Sequence, residues 1–104
     1  MTDFTFVLPA DFEDYAWEAE VKGYFSGAII TVGGTRYPLN FYDPVRLKQE
    51  IESELERGAP FFEPNLVIVR SVTKFNMQQA AEVLAQSGQA VFLTPGSTGP
   101  SLEL

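Results

Sequence analysis

The sequence predicts an α+β fold, and three stretches carry that prediction. Gly33-Gly34 separates two alternating segments, the mark of a two-residue hairpin whose central residues both need φ > 0. Asp43-Pro44 closes a strand and opens a helix, with Asp as the cap and Pro at the first helical position, where no useful donor is lost. Leu66 to Val69 is an unbroken apolar run ahead of a second capped helix, as in a strand covered on both faces. Together they describe an antiparallel four-stranded meander followed by α-β-α-β, one mixed sheet with two helices packed on one face. Residues 1–94 make a single domain, and 95–104, rich in Gly, Pro and Ser, a flexible C-terminal tail.

Asp3 to Leu8 alternates as the first strand, with Phe4, Phe6 and Leu8 on one face, and Pro9 ends it. A polar loop follows to Asp14. Tyr15 to Phe25 reads as the second strand, because Tyr15, Trp17, Ala19, Val21, Gly23 and Phe25 alternate with Glu18, Glu20, Lys22 and Tyr24. Ser26-Gly27 is a turn into Ala28–Val32, and Gly33-Gly34 a turn into Thr35–Tyr42. The second turn pairs Val32 with Thr35, Ile30 with Tyr37 and Ala28 with Leu39. The first pairs Phe25 with Ala28, Gly23 with Ile30 and Val21 with Val32, so that Trp17, Val21, Ile30 and Leu39 share the face that receives both helices. Pro38 then lies opposite Ile29 in a non-hydrogen-bonded pair, and the N–H it lacks would have pointed outward. This makes Thr35–Tyr42 a proline-guarded edge and places Leu66–Val69 beside the first strand.

Leu47, Ile51 and Leu55 form the buried stripe of the first helix, which Arg57 and Gly58 end. Phe61 and Phe62 dock on the core. The second helix starts at Thr73, with Val72 and Met77 at staple spacing, and buries Met77, Ala80, Ala81 and Leu84 up to Gly88. Ala90 to Thr94 is a short last strand.

Composition narrows the chemistry. The chain has 104 residues, no Cys and no His, which removes disulfides, thiolates, Cys/His zinc sites and imidazole catalysis. Net charge is −7 and the seven basic residues are scattered singly, so a phosphate backbone is not the expected partner. No apolar run has the length of a membrane span, and the N-terminus lacks a basic region ahead of an apolar one, so the expectation is a cytoplasmic protein.

Two surfaces stand out. The outer face of the meander puts Tyr24, Ile29 and Pro38 in one row and Lys22, Thr31 and Arg36 in the next, an apolar row beside two cations suited to docking a partner or a second copy. The acidic stretch Asp11, Glu13, Asp14, Glu18 and Glu20 suits a basic partner; it lacks the spacing of a calcium loop, and no metal or cofactor motif is read. Glu50, Glu52, Glu54 and Glu56 read as a solvated helix face. Asp43 with Arg46 and Tyr42 resembles a small-ligand corner, yet Asp43 is already occupied as a cap. The expected function is a non-enzymatic protein-interaction domain, of which an inhibitor or immunity-type protein against a basic toxin or nuclease is the most concrete form. A structural homo-oligomer or accessory subunit is the first alternative. A carboxylate-dependent enzyme or small-ligand binder is the second.

Overall fold

A computed structural model describes residues 3–96. In chain order it contains β1 (Phe4–Val7), α1 (Ala16–Lys22), β2 (Tyr24–Val32), β3 (Thr35–Tyr42), α2 (Pro44–Glu56), β4 (Leu66–Ile68) and α3 (Lys74–Gln86). Short 3-10 turns cover Phe12–Asp14 and Gln89–Phe92. One mixed sheet runs β1-β2-β3-β4, antiparallel except for the parallel β3–β4 pair. The α+β class and the mixed sheet agree with the sequence reading. The strand arrangement does not.

The Gly-Gly hairpin has the expected register: Val32 faces Thr35, Ile30 faces Tyr37, Ile29 faces Pro38 and Ala28 faces Leu39. Ser26-Gly27 is not a turn. Strand β2 runs straight through it with a bulge between Ser26 and Ala28, where Gly27 has φ 125°. A lone Gly inside a strand serves that purpose. The extra residue lets Phe25 and Ala28, three apart, both face inward beside Phe41 and Leu39.

Residues 15–25 do not form a strand. They form helix α1, and the pairs of Gly23 with Ile30 and Val21 with Val32 do not exist. The segment AWEAEVK is rich in good helix formers, and Ala19, Ala16 and Tyr15 turn toward the core. Gly23 ends the helix at φ 71°, and its N–H donates to the Ala19 and Glu20 carbonyls. Phe4 of β1 takes the place beside Val32, and Phe6 the place beside Ile30.

The core lies on one face of the sheet. Ile30, Leu39, Phe41 and Ala28 meet Met77, Ala81 and Ala85 of α3, with Phe12 and Phe25 in edge-to-face contact. Helix α3 keeps its predicted cap, since Thr73 Oγ1 accepts from the Asn76 N–H, and Val72 is fully buried. Helix α2 does not share that face. Its Arg46 guanidinium lies 5.6 Å from the ring centre of Tyr24, which pairs with Tyr42 one residue out of phase with the inward Phe25 and Phe41. Leu47 and Ile51 are half-buried and Leu55 is exposed, so the buried stripe is only partial. Phe61 packs on Tyr42, whereas Phe62 is 83% exposed.

Strand β4 joins β3, not β1, and Ile68 is exposed on what is an edge strand. Pro38 nevertheless limits it: β4 pairs only with Asn40–Tyr42. Beyond that point the outward groups of β3 are met by Asn65, whose φ is 54°. Its Nδ2 donates to the Pro38 carbonyl at 2.7 Å and the Thr94 carbonyl at 2.8 Å, and its Oδ1 accepts from the Thr94 N–H at 2.7 Å. The Gly96 N–H donates to the Arg36 carbonyl. The expected last strand is therefore a 3-10 turn, and residues 94–96 run along the β3 edge. The expected flexible tail is tied down at its start; residues 97–104 lie outside the described residues.

Gly23 also joins the two halves of the fold. Its carbonyl accepts from the Asp43 N–H at 2.9 Å, and a Cβ there would sit 2.5 Å from Asp43 Oδ2. Asp43 Oδ1 meanwhile accepts from the Arg46 N–H, capping α2. Gly23→Ala adds left-handed strain of about 1–2 kcal/mol to a displaced cap worth about 0.5–2 kcal/mol. Urea unfolding is expected to show a loss of roughly 2–4 kcal/mol for Gly23→Ala and about half that for Gly58→Ala, where φ is 81° and space is open. Asn65→Asp, which replaces two donated bonds by an anion facing two carbonyls, is expected to cost about 2–3 kcal/mol in the same measurement.

Candidate functional site

The structure separates the residues of the first predicted surface. Ile29 and Pro38 face each other, as do Thr31 and Arg36. Tyr24 stands at the far end of β2 opposite Tyr42, and Lys22 is the last residue of α1. Strand β1 supplies the missing neighbours: Val7 lies beside Ile29 and Thr5 beside Thr31. The outer face is thus a row of Val7, Ile29 and Pro38 next to a row of Thr5, Thr31 and Arg36. The sequence contained the alternation of β1 but not its partner strand.

The residues of the second predicted surface divide between a 3-10 turn and α1. Asp11, Glu13 and Asp14 belong to the 3-10 turn that leads into the helix, and all are exposed. Phe12 within that turn is buried, which fixes its orientation. Glu13 is paired with Lys74 of α3 at 3.3 Å. Glu18 and Glu20 lie on the helix, not on a strand, and are also exposed. The helix buries Ala19, so Trp17 and Val21, one turn apart, point outward between the two glutamates. Trp17 is 66% exposed and Val21 74%. The sequence reading placed both in the core, because period-two spacing put them in phase with Ala19. Gly23 as a helix stop was the signal that would have turned them outward.

Beside α1 is a shallow cleft of about 190 Å³ lined by Tyr15, Glu18, Ala19, Lys22, Tyr24 and Phe25. Burial, and then the neighbouring Asp11 charge, pushes the Tyr15 phenol above its ordinary range; its hydroxyl donates to Asp11 Oδ1 at 3.4 Å. A second cleft of about 340 Å³ contains Glu13 and Lys74, and a third of about 360 Å³ contains Asp3. None of these three brings together two carboxylates or a carboxylate and an arginine. Among the described residues no group of three or more carboxylates is close enough to hold a metal ion. No helix among them is long and apolar enough to cross a membrane.

The corner at Asp43 is more elaborate than the sequence suggested. Tyr24 and Tyr42 have ring centres 4.8 Å apart, and Arg46 Nε donates to Glu50 at 2.8 Å. The Tyr42 hydroxyl donates to Glu63 at 2.5 Å. Asp43, Arg46, Glu50, Tyr42 and Glu63 are all engaged within the protein: Asp43 caps α2 and Arg46 also donates to the Lys22 carbonyl. The cluster ties α1, α2 and the 57–65 connector to the outer end of the sheet.

No protein-family model matches this chain, and neither the curated proteins nor the solved structures contain a significant relative.

Burial, followed by the hydrogen bond to Glu63, raises the Tyr42 phenol well above its ordinary value. An unfolded tyrosine ionises near pH 10, while folded Tyr42 holds its proton longer. Its contribution is therefore full below pH about 10 and is lost as pH rises through the folded-state value. Absorbance titration near 295 nm is expected to show a late phase, coincident with unfolding, in which Tyr42 ionises, and Tyr42→Phe is expected to remove that phase. The same variant is expected to lose about 1–2 kcal/mol at neutral pH.

Proposed function

We propose that this protein is a non-enzymatic interaction domain that binds a basic protein partner through the exposed face of α1. One observation carries the reading: Trp17 and Val21 stand in solvent, flanked on the helix by Glu18 and Glu20. A large exposed aromatic next to an aliphatic residue is the usual centre of a binding hot spot, because burying it releases the most apolar surface. Carboxylates at the rim add little affinity but speed encounter with a cation-rich surface and reject acidic competitors. The overall charge of −7 acts in the same sense at longer range. The cleft beside α1, with Glu18 at its wall, offers a place for one long basic side chain. An inhibitor or immunity-type protein that occludes a basic toxin or nuclease is the most specific version of this reading.

Trp17 is the only tryptophan, so its fluorescence reports on the proposed contact. Wild-type chain immobilised and exposed to native lysate of the source organism is expected to retain a basic protein that 0.5 M salt releases. With that protein purified, Trp17 emission is expected to shift to shorter wavelength on mixing. Trp17→Ala is expected to weaken binding at least about tenfold through faster dissociation, and Glu18→Gln with Glu20→Gln to slow association and flatten its salt dependence. Equal retention of the same proteins by wild type and Trp17→Ala would overturn the proposal.

A further inference from the structure

The free edge of β1 and the flank of α3 beside it make one self-complementary surface, and we infer that it joins two copies of this chain about a two-fold axis. This goes beyond the α1 reading and does not rest on it.

The hydrogen-bond phase of the sheet carries the first half. Val32 and Thr35 flank a two-residue turn, so they exchange hydrogen bonds, and pairs alternate from there. Val32 and Ile30 therefore point their backbone groups toward β3, and Thr31 and Ile29 toward β1. Thr5 and Val7 face those two residues, which leaves the N–H and C=O of Phe4 and Phe6 pointing outward. The same phase holds on β3, where the outward Arg36 carbonyl, Pro38 carbonyl and Asn40 N–H are taken by Gly96 and Asn65. On β1, no hydrogen bond to the outward groups of Phe4 and Phe6 is found among the described residues.

Edge strands are ordinarily protected by lysine, proline or a bulge. Residues Phe4–Val7 contain none of these. An antiparallel copy of the same strand matches the pattern when Thr5 faces Thr5 of the second copy. Phe4 then exchanges hydrogen bonds with Phe6 of that copy, and the reciprocal pair does the same. The two sheets become one.

Helix α3 carries the second half. It packs against β1, and its Lys74 and Gln78 line the cleft of about 340 Å³ beside Phe6, Val7 and Leu8. Lys74, Gln78 and Glu82 recur every fourth residue, on one flank of the helix. Lys74 and Glu82 are the only ionisable residues of α3, of opposite sign, and equally distant from Gln78. A two-fold axis that makes the β1 strands antiparallel does the same to the α3 helices. Lys74 then faces Glu82 of the second copy, twice. Glu13 also borders this flank, paired with Lys74 at 3.3 Å, so the flank carries a single net negative charge on a chain of net charge −7, and repulsion between two copies is small there.

Sedimentation equilibrium on the full chain is expected to give a dimer, with Kd at or below about 0.1 mM. Thr5→Lys, at an exposed position, sets like charges opposite each other and is expected to raise Kd at least about tenfold with an unchanged circular dichroism spectrum. Glu82→Lys is expected to weaken the dimer similarly, and Glu82→Lys with Lys74→Glu and Glu13→Gln, the last removing the like charge that Lys74→Glu would otherwise meet within the chain, to restore it. Trp17→Ala is expected to leave it intact. A wild-type chain that stays monomeric to about 0.5 mM overturns the inference. So does a dimer indifferent to Thr5→Lys, or a charge swap that folds but fails to restore association.

Discussion

The alternation that starts at Val32 and Thr35 governs more of this molecule than any single contact. Once those two residues exchange hydrogen bonds across Gly33-Gly34, the direction of every backbone group is determined along β3 and along β2 as far back as the bulge at Gly27. Ile30, Leu39 and Ala28 go to the core, and Ile29, Pro38 and Thr31 to the outside. Pro38 is tolerated because the phase leaves its nitrogen on the side away from β2. The cost appears on that other side, where β4 is only three residues long. Asn65 meets the carbonyls beyond it, and its side-chain amide pairs with Thr94 much as a further strand would.

A second joint couples the helices to this sheet. Gly23 needs a left-handed backbone to end α1, and its missing side chain makes room for the Asp43 carboxylate that starts α2. Arg46 then reaches back to the Lys22 carbonyl and across the Tyr24 ring. The start of one helix and the end of another thus share a few atoms at the outer end of the sheet. This is why α1 is held with Trp17 outward: the helix is short, and both of its ends are anchored, by Phe12 at one and Asp43 at the other.

What the sequence made legible was local. Gly33-Gly34, the Asp43 cap, the Thr73 cap and the Met77–Ala81 stripe each depend on residues within a few positions of one another, and each is where it was expected. Residues 15–25 were misread because Tyr15, Ala19 and Gly23 satisfy a period of two and a period of four alike. Propensity in AWEAEVK favoured the helix, but the alternation of Trp17 and Val21 with glutamates outweighed it. The neighbours of β1 and β4 are matters of long-range pairing, for which Pro38 gave only half an answer: it excluded a full-length strand and admitted a short one. The acidic residues were found one by one; that Glu18 and Glu20 flank an exposed tryptophan followed only from the helix.

Helix α2 has no buried residue along its 13 positions. Its attachment is concentrated at the N-terminal end, in the Asp43 cap and the Arg46 contacts, while Leu55 at the other end is in solvent. Cooperativity comes from shared apolar burial, and α2 shares little of it with the Ile30–Met77 core. The free energy to detach this helix is therefore well below that of unfolding the sheet. A local opening of α2 would leave the Ile30–Met77 core untouched, since none of the helix's residues belongs to it.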